Sequence, residues 1–384
     1  MQRGIATFTL DYGVCPRWLF ERMVRLGREM TRVIVDEYGP DEFVRRIGHP
    51  GWFQSLGTVL AFDWNASGLT TILTAALKQA IRGNERAWGL YICGGKGKTS
   101  RRTPDEIAMW GEEIFPEEKT NALVYNSRMA AKVDGALIQD GYQIYHHSFF
   151  FSRNGAWTVV QQGMNVATQS ARRYHWHSAH VKDLMCEPHD GIVSQLRAHT
   201  ALDLTAKKSA AARDTSIALV QGGYQSLSHD VEILRRHETD LSQTLAFRYK
   251  GDEYHAINLA RHEFKTHPVV DEHFWESPYL KKILQRVTDL HPQTYEQFVS
   301  LAGVGPKTVR ALSLVGEMLY GARPSYEDPA RYSFAHGGKD ATPYPVDIGT
   351  YDETIAFMRK VVAHASLPFL EKQKVLQRLG YALQ

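Results

Sequence analysis

The segment GYQIYHHSFFFSRNGAWTVVQQG, residues 141–163, carries the strongest strand signal in the sequence. Two runs rich in aromatic and β-branched residues flank the turn sequence Ser-Arg-Asn-Gly, and this arrangement predicts a β-hairpin. His146 and His147 are adjacent on the first predicted strand, so their side chains should lie on opposite faces of the sheet. The segment therefore predicts a β-sheet in the first half of the chain.

Helices and a further strand are predicted around this hairpin. A helix should begin at Pro16 and end before the Gly39-Pro40 break. The run WGLYIC (88–93) predicts a buried strand, and residues 120–139 predict another helix. We therefore expect residues 1–200 to form one mixed α/β domain.

The second half of the chain has a different character. Residues 201–216 are small, polar and poorly patterned, which predicts a linker or an exposed connector. Residues 217–384 predict helices and no strands. The expected fold class is therefore α+β, a mixed α/β domain followed by an all-helical one.

Composition restricts the class of protein. The 384 residues are enough for two domains, and 43% apolar with 23% charged residues is typical of a globular protein. The sequence has no uninterrupted apolar run of about eighteen residues and no signal-peptide pattern, so a membrane partner is not expected. Three widely spaced cysteines predict a reducing, cytoplasmic environment. A net charge of +3 does not by itself indicate nucleic acid.

The segment SLAGVGPKTVRAL (300–312) interrupts a helical, apolar pattern with two glycines, a proline and a lysine. This pattern predicts two helices joined by a tight hairpin, whose glycines let a ligand approach the backbone. The amides at the start of the second helix, predicted at Lys307, would bind a phosphate. The predicted binding residues are Gly303, Val304, Gly305, Lys307 and Thr308. The alternative is a glycine turn between core helices.

These residues resemble the helix-hairpin-helix module of DNA-repair proteins, including nuclease subunits and DNA glycosylases. The resemblance implies binding to the DNA backbone. In lyase-type glycosylases a lysine at the position of Lys307 attacks the sugar, together with an aspartate about twenty residues beyond the hairpin. Here the nearest candidate is Asp347, about forty residues beyond Gly305. Lys307 is therefore either a catalytic amine or a lysine that binds phosphate only.

Two further loops combine glycines with basic residues. GGKGKTSRRTPDEI (94–107) lacks the first glycine of a P-loop, because Ile92 stands there, so an ATPase is excluded. Thr103 and Glu106 have capping-box spacing, with Pro104 as the first helical residue, and a loop before a helix start can bind anions. The candidate binding residues are Lys96, Lys98, Thr99, Arg101 and Arg102, and the alternative is a solvated basic loop. The segment RYSFAHGGKD (331–340) adds Lys339 as a candidate.

Residues 171–189 mix charge, rings and possible metal ligands. Arg172 and Arg173 lie beside Tyr174 and Trp176, a combination that suits a nucleic-acid surface. The same segment offers one possible four-ligand zinc set. It consists of His177, His180, Cys186 and His189.

A metal-dependent nuclease core is a second possibility. Asp140, with Asp134 and Gln161, could supply oxygen ligands to Mg²⁺ or Mn²⁺. His146 is a candidate for lining such a site, and the alternative is that both histidines of the pair are packed in the core. The metal stays unknown.

Several segments together resemble a prokaryotic family catalogued as domain of unknown function number seven-six-three. They are PRWLFERMVRLGREM, FDWNASG, CGGKGKTSRRTP, IQDGYQIYHHSFFF, VVQQGMN, GVGPKTVRAL and RYSFAHGGKD. The family name implies no activity, so the hairpin carries the functional hypothesis. We expect a DNA-binding protein of genome maintenance, with a DNA nuclease or glycosylase/lyase as the favoured enzyme classes. The alternatives are a scaffold that binds DNA and recruits repair proteins, or an RNA-binding or RNA-processing protein.

Overall fold

The computed structural model describes residues 15–60, 66–198, 200–237, 245–249, 252–256, 277–330 and 348–381. In these parts the fold is α+β, as predicted. The helices are α1 (Arg17–Tyr38), α2 (Pro40–Gly48), α3 (Pro50–Val59), α4 (Ala66–Ile81), α5 (Glu85–Trp88), α6 (Thr103–Ile114), α7 (Glu117–Ala136), α8 (Ala210–Gln221), α9 (Tyr224–His237), α10 (Pro278–Leu290), α11 (Tyr295–Ser300), α12 (Pro306–Tyr320), α13 (Ile348–His364) and α14 (Phe369–Tyr381). The strands are β1 (Leu90–Lys96), β2 (Ile138–Gln139), β3 (Gln143–Ser152), β4 (Trp157–Asn165), β5 (Ser170–His177), β6 (Gly191–Ser194), β7 (Leu202–Asp203), β8 (Leu245–Tyr249) and β9 (Asp252–Ala256).

The centre of the fold is an antiparallel sheet with strand order β1-β3-β4-β5-β6. The predicted hairpin is confirmed as β3 and β4, with Phe151 opposite Trp157 across the turn. Both faces of the sheet are buried, which explains why three successive phenylalanines, 149–151, occur in β3. Aromatic residues fill such two-sided strands well because they remove large apolar areas from water.

Helices cover both faces of this sheet. Phe150 packs with helices α1–α4, whereas Phe149 and Phe151 pack with α7 and with α8–α12 on the opposite side. The alternation follows from the period of two along a strand. His146 and His147 obey the same rule, since His146 contacts Thr74 of α4 and His147 contacts Ser127 of α7.

The segment predicted to be an exposed connector is buried where it begins. Its residues 202–203 form β7, which pairs with β2, and Leu202 and Leu204 are at most 1% exposed. Arg213 donates to the carbonyls of Leu204 and Ala206 from a buried position. The expectation of exposure is therefore wrong for residues 201–205, because short apolar residues in a polar context still pack when a strand partner covers them.

Two further predictions concern the second half of the chain, namely its helical character and the domain boundary before it. Strands β8 and β9 form a hairpin at 245–256, so the prediction of helices alone after residue 217 is wrong. The domain boundary near residue 200 stays a prediction. Among the described helices, none combines the length and apolarity needed to cross a bilayer.

Candidate nucleic-acid interface

The hairpin predicted at residues 300–312 is a tight connection between two helices. Helix α11 is capped by Thr294, whose side chain accepts a hydrogen bond from the Gln297 amide at 3.1 Å. The hairpin loop, residues 301–305, follows, and α12 begins at Pro306, one residue before the predicted Lys307. Proline suits that position because its missing N–H would have no helical partner there. The first turn of α12 thus presents the amides of residues 307 and 308 at the positive end of the helix dipole.

The two glycines of the hairpin loop have different surroundings. Gly303 has φ +89°, and a Cβ there would lie 2.5 Å from Cδ1 of Ile283. Gly305 has φ −145°, an extended conformation open to any residue, and a Cβ would meet no described atom within 4 Å. Gly303 is therefore required by the fold, whereas Gly305 faces open space.

We expect Gly303→Ala to lower the free energy of unfolding by about 1 kcal/mol or more, because an L side chain is strained at this positive φ. The added clash with Ile283 increases the loss. Chemical denaturation of the full-length variant measures it, with Gly305→Ala as the matched control that should unfold like the natural sequence. Equal destabilisation by both substitutions would contradict this assignment.

Contacts from α7 and β2 hold the hairpin loop and the first residue of α12 in place through backbone carbonyl groups. Lys132 donates to the Leu301 carbonyl at 2.6 Å, and burial lowers the pKa of this lysine. The Gln139 side-chain amide donates to the Pro306 carbonyl at 3.0 Å and its oxygen accepts from Arg310. The carbonyl oxygens of Leu301 and Pro306 would repel a phosphate, but they already accept these hydrogen bonds from the protein. Lys307 is exposed, while Thr308 is only 2% exposed and belongs to the core side of α12.

The basic loop, residues 94–102, begins with the last three residues of the edge strand β1 and continues as a 3-10 turn at Gly97–Arg102. Its four basic residues, Lys96, Lys98, Arg101 and Arg102, are all exposed, and Thr99 is half-buried. The capping-box prediction is wrong in its partner, because Glu106 accepts from the Gly94 amide at 2.8 Å and pairs with Lys78 at 2.6 Å. Glu106 therefore anchors the base of the loop, and the loop's role in anion binding stays a prediction.

Arg172 does not lie on a surface, which corrects the prediction for this residue. Its guanidinium is fully buried and pairs with Asp140 at 2.8 Å and with Asp328 at 2.7 Å. Asp140 also accepts from the Tyr142 amide and the Tyr174 hydroxyl. Because both carboxylate oxygens of Asp140 are engaged, the proposed catalytic or metal-binding role of this aspartate is not supported by its placement.

Arg173 and His146 are also buried, on the other face of the sheet. Arg173 is 0% exposed, lies over the Phe53 ring at 4.7 Å, and has its pKa lowered to about 9 by burial. His146 is 1% exposed and contacts Thr74 and Ser148. Burial lowers the pKa of His146 to about 3, so its ring is neutral at pH 7. Neither side chain is accessible to a nucleic acid here, so both predictions are corrected.

A buried network surrounds Asp134, which is 0% exposed. Asp134 accepts from the amide of Gln161 and from the Trp176 indole, and it pairs with His189 at 2.5 Å. His189 borders a cavity of about 210 Å³ that Asp203 also lines. Sequence reasoning selected Asp134, Gln161 and His189 separately, as ligands of two different metals. It missed that a histidine 55 positions away would contact the buried carboxylate.

Two candidates fall outside the described residues, namely Asp347 and Lys339. In the zinc set, His177 and His180 lie together, whereas His189 turns to Asp134. Asp190 joins the first two histidines and was not selected from the sequence, because a carboxylate after a histidine carries no motif.

The fold is that of an α+β protein in which a tight loop joins α11 to α12 and leaves the first turn of α12 partly exposed. The chain belongs to the family described as Protein of unknown function (DUF763), whose model matches residues 4–346. The family predicted from the sequence is thus confirmed. No curated protein and no solved structure matches the chain.

Proposed function

We propose that this protein binds the sugar–phosphate backbone of DNA through the hairpin loop and the first turn of α12, and that it acts in genome maintenance. The observation that carries the proposal is Gly305, a glycine whose φ is open to any residue and whose missing Cβ faces open space. A glycine in that setting lets another backbone or a ligand approach closely. A phosphate is the ligand that helix amides prefer.

The surrounding chemistry fits the same ligand. Pro306 occupies the first position of α12, and the N-terminal end of a helix carries the partial positive charge that favours an anion. The exposed Lys307 adds a formal positive charge, and contacts from Lys132 and Gln139 fix the loop before any ligand arrives. Contacts to phosphates position a protein on DNA without reading the base sequence. The basic loop offers a second place for backbone contact.

We expect Gly305→Ala and Lys307→Ala each to weaken binding to duplex DNA by about tenfold. The alanine methyl group at position 305 would obstruct the close approach of a phosphate, whereas Lys307→Ala removes one charge-assisted hydrogen bond. Lys307→Ala should also reduce the slope of log affinity against log salt by about 1, because one phosphate contact is lost. Gly305→Ala removes no charge and should leave that slope unchanged. Fluorescence anisotropy with a labelled random-sequence duplex, titrated at several salt concentrations, measures both quantities.

Lys374→Ala provides the matched control, since this exposed lysine lies on α14 and its loss should leave DNA binding unchanged. Unaltered affinity in both hairpin variants, with thermal unfolding also unaltered, would overturn the proposal. The same titration with a single-stranded RNA distinguishes the two nucleic acids. Tighter binding to RNA than to duplex DNA would make RNA the partner of the hairpin loop.

The enzymatic part of the proposal, a DNA nuclease or a glycosylase/lyase, has its own test. Borohydride should trap a lyase covalently on abasic duplex DNA, and the adduct should be absent in Lys307→Ala. A nuclease should cut only when Mg²⁺ or Mn²⁺ is supplied. If neither product forms under conditions in which the duplex is bound, the DNA-binding scaffold is the function that stands.

A further inference from the structure

A cluster of three possible metal ligands lies at the end of the sheet where β5 leads into β6. It is separate from the hairpin loop between α11 and α12. One nitrogen each from His177 and His180 and one carboxylate oxygen of Asp190 lie within 4.8 Å of one another. His177 is 4% exposed, and the rings of the two histidines are 5.5 Å apart. We propose that these three residues form a binding site for one divalent transition-metal ion of the Zn²⁺ or Co²⁺ class.

Local backbone structure brings the three residues together. His177 is the last residue of β5 and Asp190 immediately precedes β6, and the Asp190 amide donates to the His175 carbonyl at 2.9 Å. The turn after β5 closes with the His180 amide donating to the His177 carbonyl at 3.0 Å. His180 is thereby folded back over the strand end, where its Nδ1 lies 2.6 Å from Oδ1 of Asp190.

The state of His177 is a second, independent observation in favour of a ligand. Its Nε2 is buried and has no hydrogen-bond partner among the described residues, while Nδ1 accepts from the Ala179 amide at 3.1 Å. Buried polar atoms are rarely left without a partner.

Either ring nitrogen of His177 can serve the metal. If Nδ1 binds the metal, the hydrogen bond from the Ala179 amide to Nδ1 is lost, and this amide remains beside a solvent-accessible turn. Ligation through Nε2 requires the ring proton to move to Nδ1 and the same amide to turn away. For His180 and Asp190 the change is smaller, because their hydrogen bond is exchanged for two bonds to a shared cation.

The donor set selects the class of metal. Two imidazoles and one carboxylate are the ligands that Zn²⁺ and its neighbours in the first transition row prefer, whereas Mg²⁺ and Ca²⁺ prefer oxygen alone. The His180 side chain is 66% exposed, so three protein ligands leave the remaining coordination positions open to solvent. An open position is typical of metal sites that activate water or bind a substrate.

The other members of the zinc set predicted from the sequence are not in this cluster. His189 is adjacent to Asp190 but pairs with Asp134 in the buried network, so the two neighbours point to different places. Cys186 lies outside the group of converging ligand atoms. The site is therefore assigned to His177, His180 and Asp190 without a thiolate.

The test is a metal titration of the untagged, full-length protein after treatment with a chelator. Co²⁺ is added while its visible absorption is followed, and Zn²⁺ is then added to displace it. We expect one Co²⁺ per chain, displaced by Zn²⁺ and not by Mg²⁺. His180→Ala and Asp190→Asn should each weaken Co²⁺ binding by at least about tenfold. His180 is exposed, so its substitution should leave thermal unfolding of the metal-free protein unchanged.

Two control variants make the outcome decisive. His229→Ala removes an exposed histidine of α9, and Cys186→Ala removes the nearest thiol that the sequence offers. Both should bind Co²⁺ like the natural sequence. The proposal is overturned if no Co²⁺ binds, if His180→Ala and Asp190→Asn bind it unchanged, or if Cys186→Ala abolishes binding and so assigns the metal to a thiolate site.

Discussion

Replacing Arg172 by methionine is expected to lower the free energy of unfolding by about 3–5 kcal/mol, the cost of leaving a buried charge without its partner. Two carboxylates, Asp140 and Asp328, would then lie in the interior without the guanidinium that neutralises them. The ion pair joins segments distant in sequence, since Arg172 on β5 and Asp328 are 156 positions apart. Chemical denaturation measured by circular dichroism gives the change directly.

A triple variant separates the charge from the packing. Arg172→Met combined with Asp140→Asn and Asp328→Asn removes all three charges at nearly constant volume, and it should regain part of the lost stability. A loss below about 1 kcal/mol in the single variant, within the range of exposed ion pairs, would show that the network is not buried in solution.

The sheet and its two faces were predictable from the sequence because strand geometry has a fixed period. Aromatic and β-branched runs around Ser-Arg-Asn-Gly determined the hairpin of β3 and β4, and the alternation placed His146 and His147 on opposite sides. These are local rules, and they hold without knowledge of distant residues. The hairpin between α11 and α12 was predictable for the same reason, since its glycines, proline and helix start are adjacent in sequence.

The fate of charged residues on β5 was not predictable in that way. Arg172 and Arg173 lie beside aromatic residues in the sequence, and this pattern predicts an exposed nucleic-acid surface because charged residues are seldom buried unless they are paired. Here Arg172 pairs with Asp140 and with Asp328, and no sequence rule links Asp328 to β5. The same limit applies to Asp190, whose approach to His177 and His180 depends on how β5 pairs with β6.

Lowering the pH from 7 to 5 is expected to destabilise the protein strongly, because histidines buried in the neutral form must become charged on unfolding. Burial lowers the pKa of His146 to about 3, and that of His175 well below its ordinary value of 6.5. The pKa of His147 is also lowered, again chiefly by burial. Below pH 6.5 the unfolded chain therefore binds protons that the folded chain excludes, so the free energy of unfolding falls as the pH falls.

For His146 alone the loss between pH 7 and pH 5 is about 2 kcal/mol, and the other two histidines add to it with the same sign. Buried aspartates act in the opposite direction at lower pH, because burial raises the pKa of Asp203 and the folded chain then takes up protons first. Urea denaturation across pH 5–7 measures the slope. His146→Gln keeps a polar, uncharged side chain beside Thr74 and should reduce the pH-dependent loss by about 2 kcal/mol. If the stability of this variant fell with pH as steeply as that of the natural sequence, the assignment of His146 as a neutral, buried histidine would be wrong.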